Sequence, residues 1–212
     1  MKKFQRIVIL VYCVIAAIVL VLFCISQKIT RTIQSVNGPA YEQKVDSVAF
    51  GYQLEQKFAP QYENLDALKI YVDTSACLTE VGVLQISVVE ENANNIFCSQ
   101  IPVSKLPQYG WVDIPVHLQL SCNQTYTIVL ESIDCIDFGP KISFYDAKLA
   151  ATKEQQGYNL IYAGMEVTNS ALRITFTYAV AIEAYEYFVY YIFGLVVVSL
   201  LFGDTNSENE NL

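Results

Sequence analysis

Residues 111–120 read WVDIPVHLQL, and from Val112 onward every second residue is aliphatic, with polar side chains at most of the positions between. A period of two residues places successive side chains on opposite faces, which is typical of a β-strand with one face in a core. The same pattern returns, more or less regularly, in 48–58, 68–72, 82–89, 96–101, 126–130, 141–145, 158–162 and 172–178. About nine short strands without alternating helices predict an all-β sandwich or barrel.

The segments between these strands are rich in turn-forming residues. Residues 91–95 (ENANN) predict a hairpin loop, because Asn tolerates the left-handed backbone that tight turns require. Breaks are also predicted at 105–110 and 137–140, and residues 148–157 predict one helical turn. The strand-forming part of the chain is therefore expected to be one domain over 41–178.

The N-terminal region contains a long uncharged run, IVILVYCVIAAIVLVLFCI, over residues 7–25. As a helix it would cover about 28 Å, close to the thickness of a bilayer core. A cleaved signal peptide is the alternative, but the run is long for one and no small-x-small cleavage pattern follows it. We expect an uncleaved transmembrane helix over 7–26.

A second apolar run covers residues 187–202 and predicts a transmembrane helix over 184–203. Tyrosines crowd its start, where amphipathic rings favour the headgroup region, although a buried terminal strand or helix is the alternative. The basic start, 1–6, places the N-terminus in the cytoplasm, and two spans return the polar tail, 204–212, to the same side. The expected location is the cell membrane, with the central domain extracytoplasmic.

Charge and motifs exclude several functions. The formal net charge of −8 is a poor match for nucleic acid, which needs basic surfaces. The sequence contains no G-x-S-x-G turn, no H-E-x-x-H and no glycine-rich phosphate loop. Alternation places His117, the single histidine, on the solvent face beside Asp113. We expect neither an enzyme nor a cofactor.

The central domain has four cysteines, Cys77, Cys98, Cys122 and Cys135. No C-x-x-C pair is present, so a zinc site is not expected, and the acidic loop with Asp134 and Asp137 lacks EF-hand spacing. Cys122 and Cys135 flank one predicted strand, which would hold them about 30 Å apart. The other pairings stay open, and free thiols are the expectation.

The order of apolar signatures resembles the galactose-binding-like jelly-roll, the fold of many carbohydrate-binding modules. The resemblance covers about 45–178 and is carried by the following residues: Gln56-x-Phe58, Leu65-x-x-Leu68-x-Ile70-x-Val72, Gly82-x-Leu84-x-Ile86, Trp111-Val112-x-Ile114 and Tyr126-x-Ile128-x-Leu130. It is similar to ectodomains of bacterial membrane-anchored envelope proteins. It implies an antiparallel jelly-roll-like β-sandwich, a bacterial surface setting and a glycan partner, and it transfers no binding residue.

Exposed aromatic rings are the candidate ligand contacts, because sugar rings stack on them. Four fall in or beside predicted loops: Tyr62, Tyr109, Trp111 and Tyr158. The predicted function is a membrane-anchored extracytoplasmic binding or accessory module of the cell envelope, with an envelope glycan as ligand. The alternative is a structural or assembly subunit that packs against a multi-span membrane protein.

Overall fold

The computed structural model describes residues 28–34, 43–44, 52–75, 77, 81–135, 139–146 and 154–181, with further positions between 10 and 22 and between 186 and 196. Contacts divide the chain into two units. One unit, Thr30–Ala179, holds the sheets, and the other comprises Met1–Ile29 and Val180–Leu212.

The described strands of the central unit form two antiparallel sheets. The seven-stranded sheet contains β1 (Lys28–Gln34), β2 (Gln43–Lys44), β4 (Asn64–Asp73), β7 (Tyr109–Gln119), β9 (Lys141–Asp146), β12 (Ser170–Leu172) and β13 (Ile174–Ala181). The six-stranded sheet contains β3 (Gln53–Phe58), β5 (Val83–Glu90), β6 (Asn95–Pro102), β8 (Tyr126–Ile133), β10 (Leu160–Tyr162) and β11 (Met165–Val167), in the order β11-β10-β3-β8-β5-β6. A short 3-10 helix, Val103–Lys105, precedes β7.

The core lies between the two sheets. Along β8 buried and half-buried residues alternate strictly, as the sequence pattern predicts, and the inward face of β4 is equally apolar. Phe58 of β3 and Phe176 of β13 meet across the layers with ring centroids 5.0 Å apart. The chain passes from one sheet to the other at eight of the twelve connections between consecutive described strands. The fold is therefore an antiparallel β-sandwich of jelly-roll type, as the sequence indicates.

Two buried glutamines hold the backbone of Leu172, where β12 ends, one from β3 of the other sheet and one from the turn at 154–157. Gln56 of β3 accepts a hydrogen bond from the Leu172 N–H with its side-chain oxygen, at 3.2 Å. The Gln155 amide donates to the Leu172 carbonyl at 3.2 Å. Both glutamine side chains are fully buried, and these bonds satisfy their amide groups as well as the backbone N–H and carbonyl of Leu172, the last residue of β12.

The structure differs from the sequence prediction at three places. Residues 154–157 form a turn, not a helix, because the Glu154 carbonyl accepts from Ala59 N and the Gln155 carbonyl from Tyr158 N. Residues 148–153 lie outside the described part. Strands β1, β2 and β11 carry no clear alternation and were not predicted. Pairing of β1 with β13 makes the compact unit begin at Thr30, before the predicted start of the domain at residue 41.

The two predicted membrane spans are only partly described. The described positions between 10 and 22 and between 186 and 196 are helical. In the described part of the chain, no helix is both long and apolar enough to cross a membrane. The remaining positions of 7–26 and 184–203, the basic start 1–6 and the tail 204–212 lie outside the described residues.

Candidate functional site

A groove with a volume of about 380 Å³ lies on the outer face of the six-stranded sheet. Its floor comes from neighbouring strands, since β3 pairs with β8 and β8 with β5. Register places Lys57 of β3 and Val89 of β5 on either side of Thr127, and Glu55 beside Val129. These side chains face outward because their neighbours, such as Phe58 and Ile128, fill the core.

The β5–β6 hairpin forms one wall of the groove. Glu90, Glu91 and Ala93 line it, and the turn is closed by hydrogen bonds from Ala93 N to the Glu90 carbonyl and from Glu90 N to the Asn94 carbonyl, both 2.9 Å. Ala93 adopts a left-handed backbone with φ 61°. The hairpin predicted at 91–95 is thus confirmed, and it brings two carboxylates to the groove.

Tyr158 forms the opposite wall and is the aromatic ring of the groove. Its hydroxyl lies 3.2 Å from the Thr125 hydroxyl. Its backbone is fixed from beneath, since its N–H donates to the Gln155 carbonyl at 3.1 Å and its carbonyl accepts from the buried Gln56 amide at 3.4 Å. The backbone of Tyr158 is therefore held by the same two glutamines that bond to Leu172, and its ring is held by the contact with the Thr125 hydroxyl.

The groove combines hydroxyls with an excess of acid. Thr125, Thr127 and Tyr158 supply hydroxyls, which both donate and accept hydrogen bonds. Three carboxylates, those of Glu55, Glu90 and Glu91, face the single ammonium of Lys57 in the lining. This charge balance disfavours anionic ligands and suits a polyhydroxylated neutral ligand, whose hydroxyls can donate to carboxylates.

Beside the groove the same sheet face is closed by side-chain hydrogen bonds. Gln53 donates to the Glu131 carboxylate at 2.9 Å, and Gln85 donates to its other oxygen. Gln100 in turn donates to Gln85 at 2.8 Å. The side chains of this network already hydrogen-bond one another. The polar side chains of the groove are therefore the better candidates for hydrogen bonds to a ligand.

A second aromatic surface lies on the outer face of the seven-stranded sheet. Trp111 and Tyr71 are cross-strand neighbours whose rings meet edge to face at 5.6 Å. The Arg173 guanidinium lies over both rings, 4.0 Å from the Tyr71 centroid and 5.0 Å from that of Trp111. Tyr109 follows on the same face and is 54% exposed. We call these four residues the Trp111 surface.

The structure separates the four aromatic residues that the sequence singled out. Tyr158 lies in the groove, whereas Trp111 and Tyr109 lie on the opposite sheet. Tyr62 is half-buried and packs edge-on against the buried Tyr178 at 5.5 Å, which assigns it to packing. The predicted set therefore forms no single cluster among the described residues.

Most groove residues were not predicted from the sequence, although the strand pattern around them was present. Glu55, Lys57 and Thr127 occupy the outward positions of alternating strands, but nothing local indicates that β3 and β8 are neighbours. Arg173 gave no signal, because its position over Trp111 depends on pairing between distant strands.

His117 is exposed, as alternation predicts, and its Nδ1 lies 2.7 Å from the Asp66 carboxylate. It adopts φ 51° where the β4–β7 register shifts, so it belongs to a β-bulge. The five described cysteines, Cys13, Cys77, Cys98, Cys122 and Cys135, are free thiols. Asp137 of the predicted acidic loop lies outside the described residues.

No family model and no curated protein sequence matches this chain. Among solved structures, the cysteine protease and lectin-like domains of Cwp84, a surface layer associated protein of Clostridium difficile, share 12% identity with a TM-score of 0.44. That match covers 71% of this chain and 36% of the other. The VP2 subviral particle of infectious bursal disease virus shares 8% identity with a TM-score of 0.28, over 83% of this chain and 48% of the other. This chain thus spans less than half of each structure, and similarity at this level assigns neither family nor function.

Proposed function

We propose that this protein is a membrane-anchored, extracytoplasmic binding module of the cell envelope, and that its ligand is a neutral glycan held in the groove. The observation that carries the proposal is the combination of one fixed tyrosine ring with three hydroxyls and three carboxylates around about 380 Å³. Sugar rings use the same chemistry, with an apolar face for stacking and hydroxyls for hydrogen bonds. The volume fits a short stretch of glycan.

Anchoring is supported by the sequence of the two ends. Residues 7–25 carry no charge, and the run is as long as a bilayer core requires. An anchored domain would hold the groove near the envelope polymers, which raises the effective concentration of a weak binder.

Binding of neutral oligosaccharides to the full chain in mild detergent tests the glycan proposal. Replacing Tyr158 with Ala removes the stacking ring, so we expect the dissociation constant to rise about tenfold or more. Tyr109→Ala is the matched control, because it removes an exposed tyrosine outside the groove. Absence of binding to any neutral glycan, or equal losses in the two variants, contradicts the proposal.

The second candidate is an assembly subunit that docks a larger membrane protein through the Trp111 surface. Trp, Tyr and Arg are the residue types enriched at the centres of protein interfaces, and here Trp111, Tyr71 and Arg173 lie in mutual contact. Co-purification of a multi-span protein in mild detergent tests it. Loss of that partner in Trp111→Ala but not in Tyr158→Ala supports assembly, and the reverse pattern argues against it.

A further inference from the structure

We propose that Cys77 and Cys135, which carry free thiols in this structure, form a disulfide bond on oxidation and so join the β4–β5 connection to the β8–β9 connection at one end of the sandwich. The proposal concerns the covalent state of the domain, and it does not depend on which ligand the groove binds.

The strand register brings the ends of the two connections together. At the end of β4, Asp73 pairs with Lys141 at the start of β9. In the other sheet, Val83 at the start of β5 pairs with Ile133 at the end of β8. The β4–β5 connection therefore leaves the seven-stranded sheet beside the point where the β8–β9 connection enters it. The β8–β9 connection leaves the six-stranded sheet beside the point where the β4–β5 connection enters that sheet. Cys77 belongs to the first connection and Cys135 to the second.

Cys135 already contacts the connection that carries Cys77. Its side chain is 6% exposed, and its Sγ lies where a β-carbon on Gly82 would approach to 2.4 Å. Only glycine allows the sulfur to lie this close to the backbone that enters β5. The Cys135 thiol therefore lies against the β4–β5 connection at Gly82 and does not point into solvent.

Cys77 is positioned by a series of local hydrogen bonds. The Asp73 carboxylate accepts from Ser75 N at 2.9 Å and from the Ser75 hydroxyl at 2.6 Å. Thr74 N donates to the Gln108 carbonyl, and Cys77 N donates to the Thr74 carbonyl, both at 2.9 Å. These bonds fix the turn that presents Cys77, whose side chain is half-buried.

The electrostatics of Cys77 agree with this placement. Burial raises the pKa of the Cys77 thiol, and negative charge on Cys135 and on Asp73 raises it further. The charge of Cys135 therefore reaches Cys77, which agrees with the strand register that brings the two connections together.

The other described cysteines of the domain are poor partners. Cys122 lies in the β7–β8 connection at the opposite end, where Leu120 N donates to the Glu63 carbonyl just before β4. The eight residues of β8 separate it from Cys135, a distance of about 25 Å along a strand. Cys98 is exposed on the edge strand β6. Cys77 and Cys135 are the pair that the topology brings to one place.

Bond formation requires an oxidant, for which a small aliphatic disulfide such as oxidised glutathione is sufficient. The thiolate of one cysteine attacks the glutathione disulfide, which forms a mixed disulfide and releases one glutathione thiolate. The second cysteine thiolate then attacks the protein sulfur of the mixed disulfide and releases the second glutathione. The two protein thiols lose two protons and two electrons, and the glutathione disulfide is reduced to two thiols.

The experiment treats the full chain with oxidised glutathione at mildly alkaline pH and then blocks remaining thiols by alkylation. Intact mass and peptide mapping should find a peptide that links Cys77 to Cys135. The bond closes a loop of about 60 residues, so the melting temperature should rise by about 5–10 °C over the reduced protein.

One single variant and one double variant make the test specific. Cys77→Ser should abolish the rise in melting temperature, and Cys98→Ser with Cys122→Ser should leave it intact. The proposal is overturned if both thiols remain open to alkylation, if each retains glutathione as a mixed disulfide, or if the linked peptide contains Cys98 or Cys122. Because peptide mapping uses the unaltered chain, the result does not depend on whether a variant folds.

Discussion

At the scale of single residues, the Tyr178 phenol is a titratable group that the core buries completely. Its side chain is fully buried, stacked on Phe176 with centroids 6.3 Å apart and packed edge-on against Tyr62. Burial, and then the nearby Glu154 carboxylate, raise the pKa of Tyr178 well above its ordinary value. The folded protein therefore strongly favours the neutral phenol at this position.

This shift predicts a specific loss of stability in alkali. In the unfolded chain Tyr178 ionises near its ordinary pKa of about 10, whereas in the folded protein it keeps its proton. Above about pH 10 the unfolded state therefore binds fewer protons than the folded state, and the free energy of unfolding falls as pH rises. Urea denaturation across this range should show a shallower fall in Tyr178→Phe. Tyr109→Phe, at an exposed site, should keep the wild-type slope, and a Tyr178→Phe profile identical to wild type would contradict the assignment.

At the scale of elements, the two connections that carry Cys77 and Cys135 depend on a glycine. Gly82 has φ 112°, a conformation that side chains rarely adopt. A β-carbon there would also lie 3.0 Å from the Ile133 carbonyl oxygen and from Cys135 N. Two costs therefore coincide at the entry to β5, one from the backbone conformation and one from contact with β8 and the residues after it.

Replacing Gly82 with Ala should separate these two costs when it is compared with Gly164→Ala. Gly164 also has positive φ, at 77°, but a β-carbon there meets nothing within 4 Å. We expect Gly164→Ala to lower the free energy of unfolding by about 1 kcal/mol and Gly82→Ala by about 3 kcal/mol. Denaturant titration under reducing conditions measures both, and equal losses would mean that β5 can shift away from β8 without cost.

At the scale of the whole molecule, the sandwich is a complete two-layer unit. Its core is closed on both sides by sheets, with Phe58 and Phe176 in contact across the layers. The groove and the Trp111 surface lie on opposite outer faces, so a glycan on one face would leave the other face open to a protein partner. The two proposed membrane spans belong to the other unit of the chain, Met1–Ile29 and Val180–Leu212.

The proposed anchoring predicts how the full protein behaves in cells. It should sediment with membranes, resist a carbonate wash and dissolve only with detergent, and protease added to intact cells should remove the sandwich. An Arg in the middle of a span costs about 3 kcal/mol. Val14→Arg combined with Val196→Arg should therefore move much of the protein to the soluble fraction. If the wild-type protein stays in solution without detergent, the anchoring proposal is wrong.

The sequence alone determined the strands with clear alternation and the direction in which their side chains point. It predicted that 126–130 is a strand, that 91–95 is a hairpin loop and that His117 faces solvent. These features are local, because a period of two follows from the pleat of a single strand. Strands with weak alternation, such as β1, were not predicted, because the period of two was the signal by which strands were recognised.

Only the tertiary structure decided which strands and loops meet. It separated Tyr158 from Trp111 and Tyr109, assigned Tyr62 to packing, and brought Cys135 against Gly82. Each of these arrangements depends on residues that are distant in the chain. The alternation of apolar and polar residues in one strand does not indicate which other strand lies beside it. The candidate site belongs to this second class, since its floor exists only where β3, β8 and β5 lie side by side.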